Sequence, residues 1–413
     1  MKEKAILHCD INHCYAQIEE MKYPELRNVP MVVGGKEETR SGIVLARNLR
    51  AKKYGIKTAE TLREALDKCP ELCIIHPSYD DYVYYSEKIK DIYREYTDKV
   101  ESFGVDEAWI DVSDSRLLFG SEEKIAKEIQ TRVLDEYGIT ISVGVSFNKI
   151  FAKLGSDMTK PSGFHVITKE NYKEVVWPLD VNELLYVGPQ TTKKLNAIDI
   201  MTIGDLAQSD VTKLKKLLGK PGEIIWAFAN GLDESDVSID EILPKSIGNG
   251  ITTPRNLEDF LEVKHVLYVL VESVAARLKE QNLEGNVISL SLRDTNLESM
   301  SRQKKLLHHT DLVDEIMDVL FYLINHAFDF TPPYRSLSVK VSGLRIKQNT
   351  VQLDLFSSPE DKTKAYTLEN TIEDLRDKYG FEIIKRASLL VDEDLTNFDP
   401  KRAHTIHPVG FFK

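Results

Sequence analysis

The chain has 413 residues, of which 42% are hydrophobic and 29% charged, a composition that excludes wholesale disorder. At about 150 residues per domain, this length suggests about three domains. The 54 basic and 66 acidic side chains give a net charge of −12. That argues against a protein coated in nucleic acid by bulk attraction, but not against nucleic acid in a local groove, because exposed charges are screened beyond about 8 Å.

No apolar run approaches the roughly 20 residues of a membrane span. Met1 to Leu7 does not read as a signal peptide, so a soluble, cytoplasmic protein is expected. Cys9, Cys14, Cys69 and Cys73 are too few for a disulfide framework and lack C-x2-C spacing. Buried, reduced thiols are expected rather than a zinc site.

In chain order, residues 5–9 form an apolar strand ending at Asp10, and a helix pattern carrying Tyr15, Ile18, Glu19 and Met21 follows. Residues 30–34 and 43–46 are short strands. A tyrosine-rich helix is expected over 79–99, a hairpin broken at Gly104 over 99–112, a helix over 121–137 and a β-branched strand over 140–147. Strands alternating with helices through about residue 165 indicate an α/β or α+β region. From Leu179 to Leu232 the β signal disappears, and short helices join at Gly188-Pro189, Gly204 and Gly219. Residues 231–244 read as a linker. A second region spans 245–346 as strand, helix 258–280, strands 286–293 and 300–307, helix 311–327 and strand 336–343. The polar tail from Lys347 holds one helix, 367–379.

Carboxylates concentrate at two strand ends, Asp10 and Asp106-Glu107. Taken singly, Asp10 reads as a helix N-cap and Asp106-Glu107 as a solvated hairpin tip. Together, flanked by apolar strands in one α/β region, they suggest a cluster of hard oxygen ligands. Such clusters suit Mg²⁺ and two-metal phosphoryl transfer. Adjacent strand residues face opposite ways, so Asp106 and Glu107 converge only where the strand bends, and Gly104 can supply the bend.

These residues carry a resemblance. Asp10-Ile11-Asn12-His13-Cys14-Tyr15-Ala16-Gln17-Ile18-Glu19 resembles the opening motif of the Y-family translesion DNA polymerases. Phe103 to Asp111 resembles their second motif, Ser156 to Gly163 a third, and Lys245 to Asn249 the start of their little finger. The resemblance covers about residues 4–346. It implies a multidomain α+β right hand: palm and fingers over 1–177 (fingers about 12–77), a helical thumb over 178–236, a linker over 237–244, a little finger over 245–346 and a tail over 347–413. The implied activity is template-directed, error-prone nucleotidyl transfer from dNTP to a primer 3'-hydroxyl. A two-metal nuclease and a catalytically inactive DNA-damage scaffold are the competing readings.

The resemblance also assigns positions. Two Mg²⁺ ions would be held by Asp10, Asp106 and Glu107 with the main-chain oxygen of Ile11. Tyr15 would be the steric gate against a 2'-hydroxyl, supported near Tyr82, and Lys160 would contact the triphosphate. The fingers motif departs from the family, with Ala46 and Leu49 in place of phosphate-binding Thr and Tyr and Lys52 in place of Arg. Arg47 or Lys52 would take over that contact. Asn12 stands where the family often has a second Asp. Gly188 and Lys193 belong to a helix-hairpin-helix-like stretch against primer duplex. Arg302 and Lys304, with Lys305, would form a basic sheet face along the DNA backbone. Gln352-Leu353-Asp354-Leu355-Phe356 resembles the peptide that docks on the bacterial sliding clamp, and a terminal strand is its plainer reading. A monomer is expected.

Overall fold

The computed structural model describes residues 4–35, 42–238, 243–348 and 359–398. They divide into two compact units, 4–35 with 42–238 and 243–348 with 359–398. The architecture is α+β with several sheets.

The first unit carries strands β1 (Ile6–Ile11), β2 (Met31–Gly34), β3 (Val44–Arg47), β4 (Cys73–Ile75), β5 (Val100–Ser102), β6 (Glu107–Asp111), β7 (Ile141–Ser146) and β8 (Phe164–Ile167). Its main sheet runs β5-β6-β1-β7-β8, and a small sheet runs β3-β2-β4. β1 is central and antiparallel to both β6 and β7. Alternation along β1 sends Leu7, Cys9 and Ile11 into a core shared with helices Tyr79–Arg94 and Glu122–Tyr137. Ile6, His8 and Asp10 face the other way. On that side lies helix Lys149–Asp157, capped by the Asn148 side chain, which accepts from the Phe151 N–H at 2.8 Å. It approaches this closely because β7 offers Gly144 to it. A Cβ there would sit 2.0 Å from the Ala152 carbonyl oxygen.

Several sequence expectations shift. The tyrosine-rich helix stops at Arg94 rather than 99. Thr97 and Asp98 offer the backbone other partners: Lys99 N–H donates to Thr97 Oγ1 at 3.1 Å and Val100 N–H to the Asp98 carbonyl at 3.1 Å. Two short helices, Leu49–Lys53 and Leu62–Lys68, escape a periodicity reading, although Asn48 and the Thr61–Glu64 capping box mark their starts. The all-helical stretch holds Pro189–Asn196, Ile203–Gln208, Val211–Leu218 and Lys220–Ala229. Gly219 joins two of them at φ +73°, but Gly204 lies inside a helix, where a side chain would press on Trp177. Cys9, Cys14 and Cys69 are buried thiols.

The second unit carries β9 (Ser246–Leu257), β10 (Leu283–Asp294), β11 (Ser299–Thr310), β12 (Tyr334–Ser342) and β13 (Arg345–Ile346). Its sheet runs β11-β10-β12-β9. Helices Phe260–Glu280 and Val313–Ala327 pack on the face bearing Ile288, Leu290, Leu292, Leu337, Val339 and Val341. Residues 359–398 pack on this unit. Helix Pro359–Tyr379 begins eight residues before the expected 367. Buried Glu272 accepts from Arg376 and Arg386, each at 2.8 Å, and Leu395 joins the core of this unit.

Candidate active site

The end of β1 and the start of β6 meet at one edge of the main sheet. Asp10 pairs directly with Glu107 across the two strands, and directly paired residues share a face. Ile11 N–H donates to the Asp106 carbonyl at 2.9 Å, so the main chain of Ile11 lies beside Asp106. The bend that brings Asp106 there starts at Gly104, φ +91°. It is pinned from helix Tyr79–Arg94: buried Lys90 donates to the Gly104 carbonyl at 3.1 Å, and Ser86 donates to the Val105 carbonyl. Asp10, Ile11, Asp106 and Glu107 therefore gather as expected.

Helix Lys149–Asp157 and the turn after it bring the expected Lys160 here and add Lys153 and Asp157, to which sequence reasoning gave no role. Lys153 Nζ donates to Glu107 at 2.6 Å, and Lys160 Nζ donates to Asp10 at 2.6 Å. Asp157 lies 3.6 Å from Lys153 and 2.8 Å from Lys160. On the buried side of Glu107 sits His8, with Nε2 3.3 Å from Oε2 and Nδ1 2.8 Å from Ser156 Oγ. Burial pushes the His8 imidazole below its usual range, while Glu107 beside it pulls the other way.

Burial raises Asp10 to about 7 against the pull of Lys160, and the Glu107 charge adds to the rise. Asp106 is raised by burial and then by the charge of Glu107. Burial also pushes Glu107 up, but His8 and Lys153 outweigh it and hold the carboxyl at about 2. Among the described residues no three ligand side chains stand as a ready-made metal cage, and the two lysines hold Asp10 and Glu107. The donor set nevertheless fits a hard divalent cation. It offers only oxygen ligands, it is largely buried, and its carboxylates outnumber the two ammonium groups. Asn12 is not part of this set. Its buried amide accepts from Ser142 at 2.8 Å and donates to Thr140 at 3.1 Å.

Between β1 and helix Cys14–Lys22, His13 takes φ 47° and turns the chain, so the helix starts at Cys14. Burial lowers the His13 pKa, and the charges of Lys52, Arg47 and Lys160 lower it further. Three cations thus act electrostatically on the residue that caps this helix, whose free N–H groups favour anions. His13 Nε2 is buried without a hydrogen-bond partner. Tyr15, one residue into the helix, stacks on Tyr82 with centroids 4.3 Å apart and planes 13° apart, and meets the edge of Tyr79. Tyr82 is fully buried, and its hydroxyl donates to Glu19 at 2.6 Å. It backs Tyr15 rather than lining a surface.

The remaining predicted positions lie elsewhere. Gly188 caps helix Pro189–Asn196, and Lys193 is exposed on it. The helix before this hairpin is a single 3-10 turn, Val181–Glu183. In the second unit the expected basic cluster is split by the pleat. Arg302 pairs with Leu290 and Lys304 with Ile288, so both lie on the helix-bearing side, and Lys304 sits 3.5 Å from the ring centre of Tyr322. Lys305 is on the open side. There it joins Arg293, Lys340 and a run of small polar residues, with Gly250, Thr252, Ser291, Arg293, Ser336 and Ser338 lining one groove. Gln352, Leu353, Leu355 and Phe356 lie outside the described residues.

Two family models match the chain: the impB/mucB/samB family over residues 9–157 and the C-terminal domain of that family over 244–355. The chain is 44% identical to a DNA polymerase IV of Acetivibrio thermocellus, over 95% of this chain and 99% of that protein. It is 36% identical to a DNA polymerase IV 2 of Bacillus subtilis, over 94% and 95%. A solved Y-family DNA polymerase chimera of Dbh and Dpo4 superposes with a TM-score of 0.75 at 25% identity, covering 83% of this chain and all of that one.

Proposed function

This chain belongs to the impB/mucB/samB family, the Y-family DNA polymerases, and we propose that its nucleotidyl transfer runs on Asp10, Asp106 and Glu107. It is a template-directed translesion DNA polymerase that acts on primer-template DNA and dNTPs. The fold implies dependence on a divalent cation. The observation that carries the residue assignment is the cross-strand pairing of Asp10 with Glu107 beside the pinned bend at Asp106.

In this reading two Mg²⁺ ions would be held by Asp10, Asp106, Glu107 and the main-chain oxygen of Ile11. When bound, they would supply a lowered pKa at the primer 3'-hydroxyl and neutralising charge for the triphosphate and pyrophosphate. The chain's own groups do the rest. Lys160, with Arg47 and Lys52 near His13, receives the triphosphate at the helix N-terminus. Tyr15, held flat against Tyr82, leaves no room for a 2'-hydroxyl. The main sheet with its helices serves as palm, the β3-β2-β4 region as fingers and the helices after 188 as thumb. The second unit acts as little finger, applying the open sheet face of Arg293, Lys305 and Lys340 to DNA phosphates. Primer extension with dNTPs, with and without Mg²⁺, tests this reading. Templated growth of the primer only with the cation is expected, and cleavage of the primer instead would favour a nuclease.

The peptide 352–356 is assigned to the bacterial sliding clamp on sequence alone. Leu355 and Phe356 suit an apolar pocket and Gln352 its rim. Leu355→Ala with Phe356→Ala should leave distributive extension unchanged and abolish clamp binding by calorimetry. Unchanged binding would end that assignment.

A further inference from the structure

Lys153 and Lys160 each stand between two carboxylates. Lys153 bridges Glu107 at 2.6 Å and Asp157 at 3.6 Å, and Lys160 bridges Asp10 at 2.6 Å and Asp157 at 2.8 Å. The two lysines meet different oxygens of Asp157, Oδ2 and Oδ1. The result is one chain of alternating charge, Glu107–Lys153–Asp157–Lys160–Asp10. Its ends are the carboxylates read above as cation ligands, and its middle is a carboxylate with no part in that reading.

A divalent cation and an ammonium group compete for the same oxygens. If a cation takes Glu107 and Asp10, both lysines lose an ion pair in a mostly buried setting. Stranding a buried charge is costly unless another carboxylate is within reach. Asp157 is within reach of both by construction: it follows Lys153 by four residues and precedes Lys160 by three. It ends a helix whose position is fixed by the Asn148 cap and the bare backbone of Gly144. About a third of its side chain is exposed.

We propose that Asp157 is a positioning residue that retains Lys153 and Lys160 when Glu107 and Asp10 pass to divalent cations, and so sets how readily the cations displace the lysines. The proposal rests on the reading of Asp10, Asp106 and Glu107 as cation ligands. It also gives Lys160 a fixed base from which to meet the triphosphate. Sequence spacing leaves this invisible, because the chain closes only across β1, β6 and the helix.

The test uses Mn²⁺ as the probe, titrated by electron paramagnetic resonance into the full chain without DNA or nucleotide. Asp157→Asn should raise the Kd for Mn²⁺ about three- to tenfold. Loss of one negative charge would weaken binding by itself, so a double-mutant cycle with Lys153→Met decides. Removing that competing ammonium should tighten Mn²⁺ binding by a factor at least about threefold larger in the Asp157→Asn background than in the wild type. Asp157→Glu should keep near wild-type affinity, and melting temperatures show that each variant is folded. Equal factors in both backgrounds, with Mn²⁺ binding still lost in Asp106→Ala, overturn the role of Asp157 alone. Mn²⁺ binding indifferent to Asp106→Ala overturns the cation reading, and this proposal with it.

Discussion

The main sheet of the first unit and the sheet of the second are both mainly antiparallel, and both are built on an apolar face under two helices. They differ in what the other face does. In the first unit that face is covered by helix Lys149–Asp157, and charges at its edge are largely buried and linked in one alternating chain. In the second it is open, and it carries serines, glycines and a few spaced cations. A covered face can hold carboxylates away from their ordinary pKa, as functional sites often do. An open face keeps its charges solvated, which suits contacts that slide along a DNA backbone. One surface is built for position and the other for tolerance.

The sharpest way to break this comparison is to remove a carboxylate from the covered edge. Asp106→Ala or Glu107→Ala should lower primer extension about a thousandfold or more, since deleting a cation ligand removes several kcal/mol of transition-state stabilisation. DNA binding measured by fluorescence anisotropy should stay close to wild type. Extension within tenfold of wild type in both variants would mean that the edge is only structural.

A second effect comes from the strain of holding Asp10. Its carboxyl is raised to about 7 in the folded chain, above the ordinary Asp value. The folded state therefore holds its proton more tightly, and without divalent cation stability falls as pH rises from about 4 to 7. Glu107 has the opposite sign: held at about 2, it stabilises above its ordinary value, and that contribution is lost as pH drops from about 4.5 toward 2. Asp10→Asn should remove the loss between pH 5 and 8, worth on the order of 3 kcal/mol at pH 8. It should also erase the rise in melting temperature that Mg²⁺ gives the wild type at pH 8. A wild-type melting temperature flat from pH 5 to 8 without cation would contradict the burial argument.

These two faces are not equally legible in the sequence. The carboxylates stand out because they interrupt apolar strands, and Tyr15 because it follows Asp10 at a recognisable spacing. His8, Lys153 and Asp157 do not. Each is an ordinary residue until β1, β6 and the helix on Gly144 bring His8 and Lys153 to Glu107, and Asp157 to Lys153. The secondary elements of 245–346 fall within a few residues of their expected bounds, because their strands and helices differ cleanly in period. Its binding face departs from expectation for one physical reason. Neighbouring basic residues on a strand alternate sides, so the pleat divides Arg302, Lys304 and Lys305 between two faces. The fold of 359–398 onto Glu272 is also hidden, since its anchors Arg376 and Arg386 pair with a residue about a hundred positions away.

Sugar selection tests the rigid side of the comparison at a smaller scale. Tyr15→Ala should raise incorporation of NTP relative to dNTP at least about tenfold, because a site that excludes a group by shape loses its discrimination when the wall goes. Tyr82→Phe keeps the stacked ring but drops the hydrogen bond to Glu19, and it should shift the ratio less. An unchanged ratio in an active Tyr15→Ala enzyme would make Tyr15 a core residue only.

The smallest effect addresses the open face and separates its two sides. Lys305→Ala with Lys340→Ala removes two cations from the open side, on strands that flank β10. Each cation taken off a DNA phosphate should reduce the slope of log K against log salt by about 0.9, so the pair should flatten it by nearly two. At moderate salt the affinity should fall only about three- to tenfold, without change in the rate constant for nucleotide addition at saturating DNA. Arg302→Ala with Lys304→Ala removes the same charge from the helix-bearing side, where Lys304 lies over Tyr322. A distant duplex would feel that charge weakly through screening solvent, so the slope should change by less than about half as much. The two pairs carry the same charge and differ in pleat position, so the contrast isolates geometry from net charge. Equal slopes for the two pairs would mean that DNA does not distinguish the faces, and the division between a covered chemical edge and an open binding face would fail in the second unit.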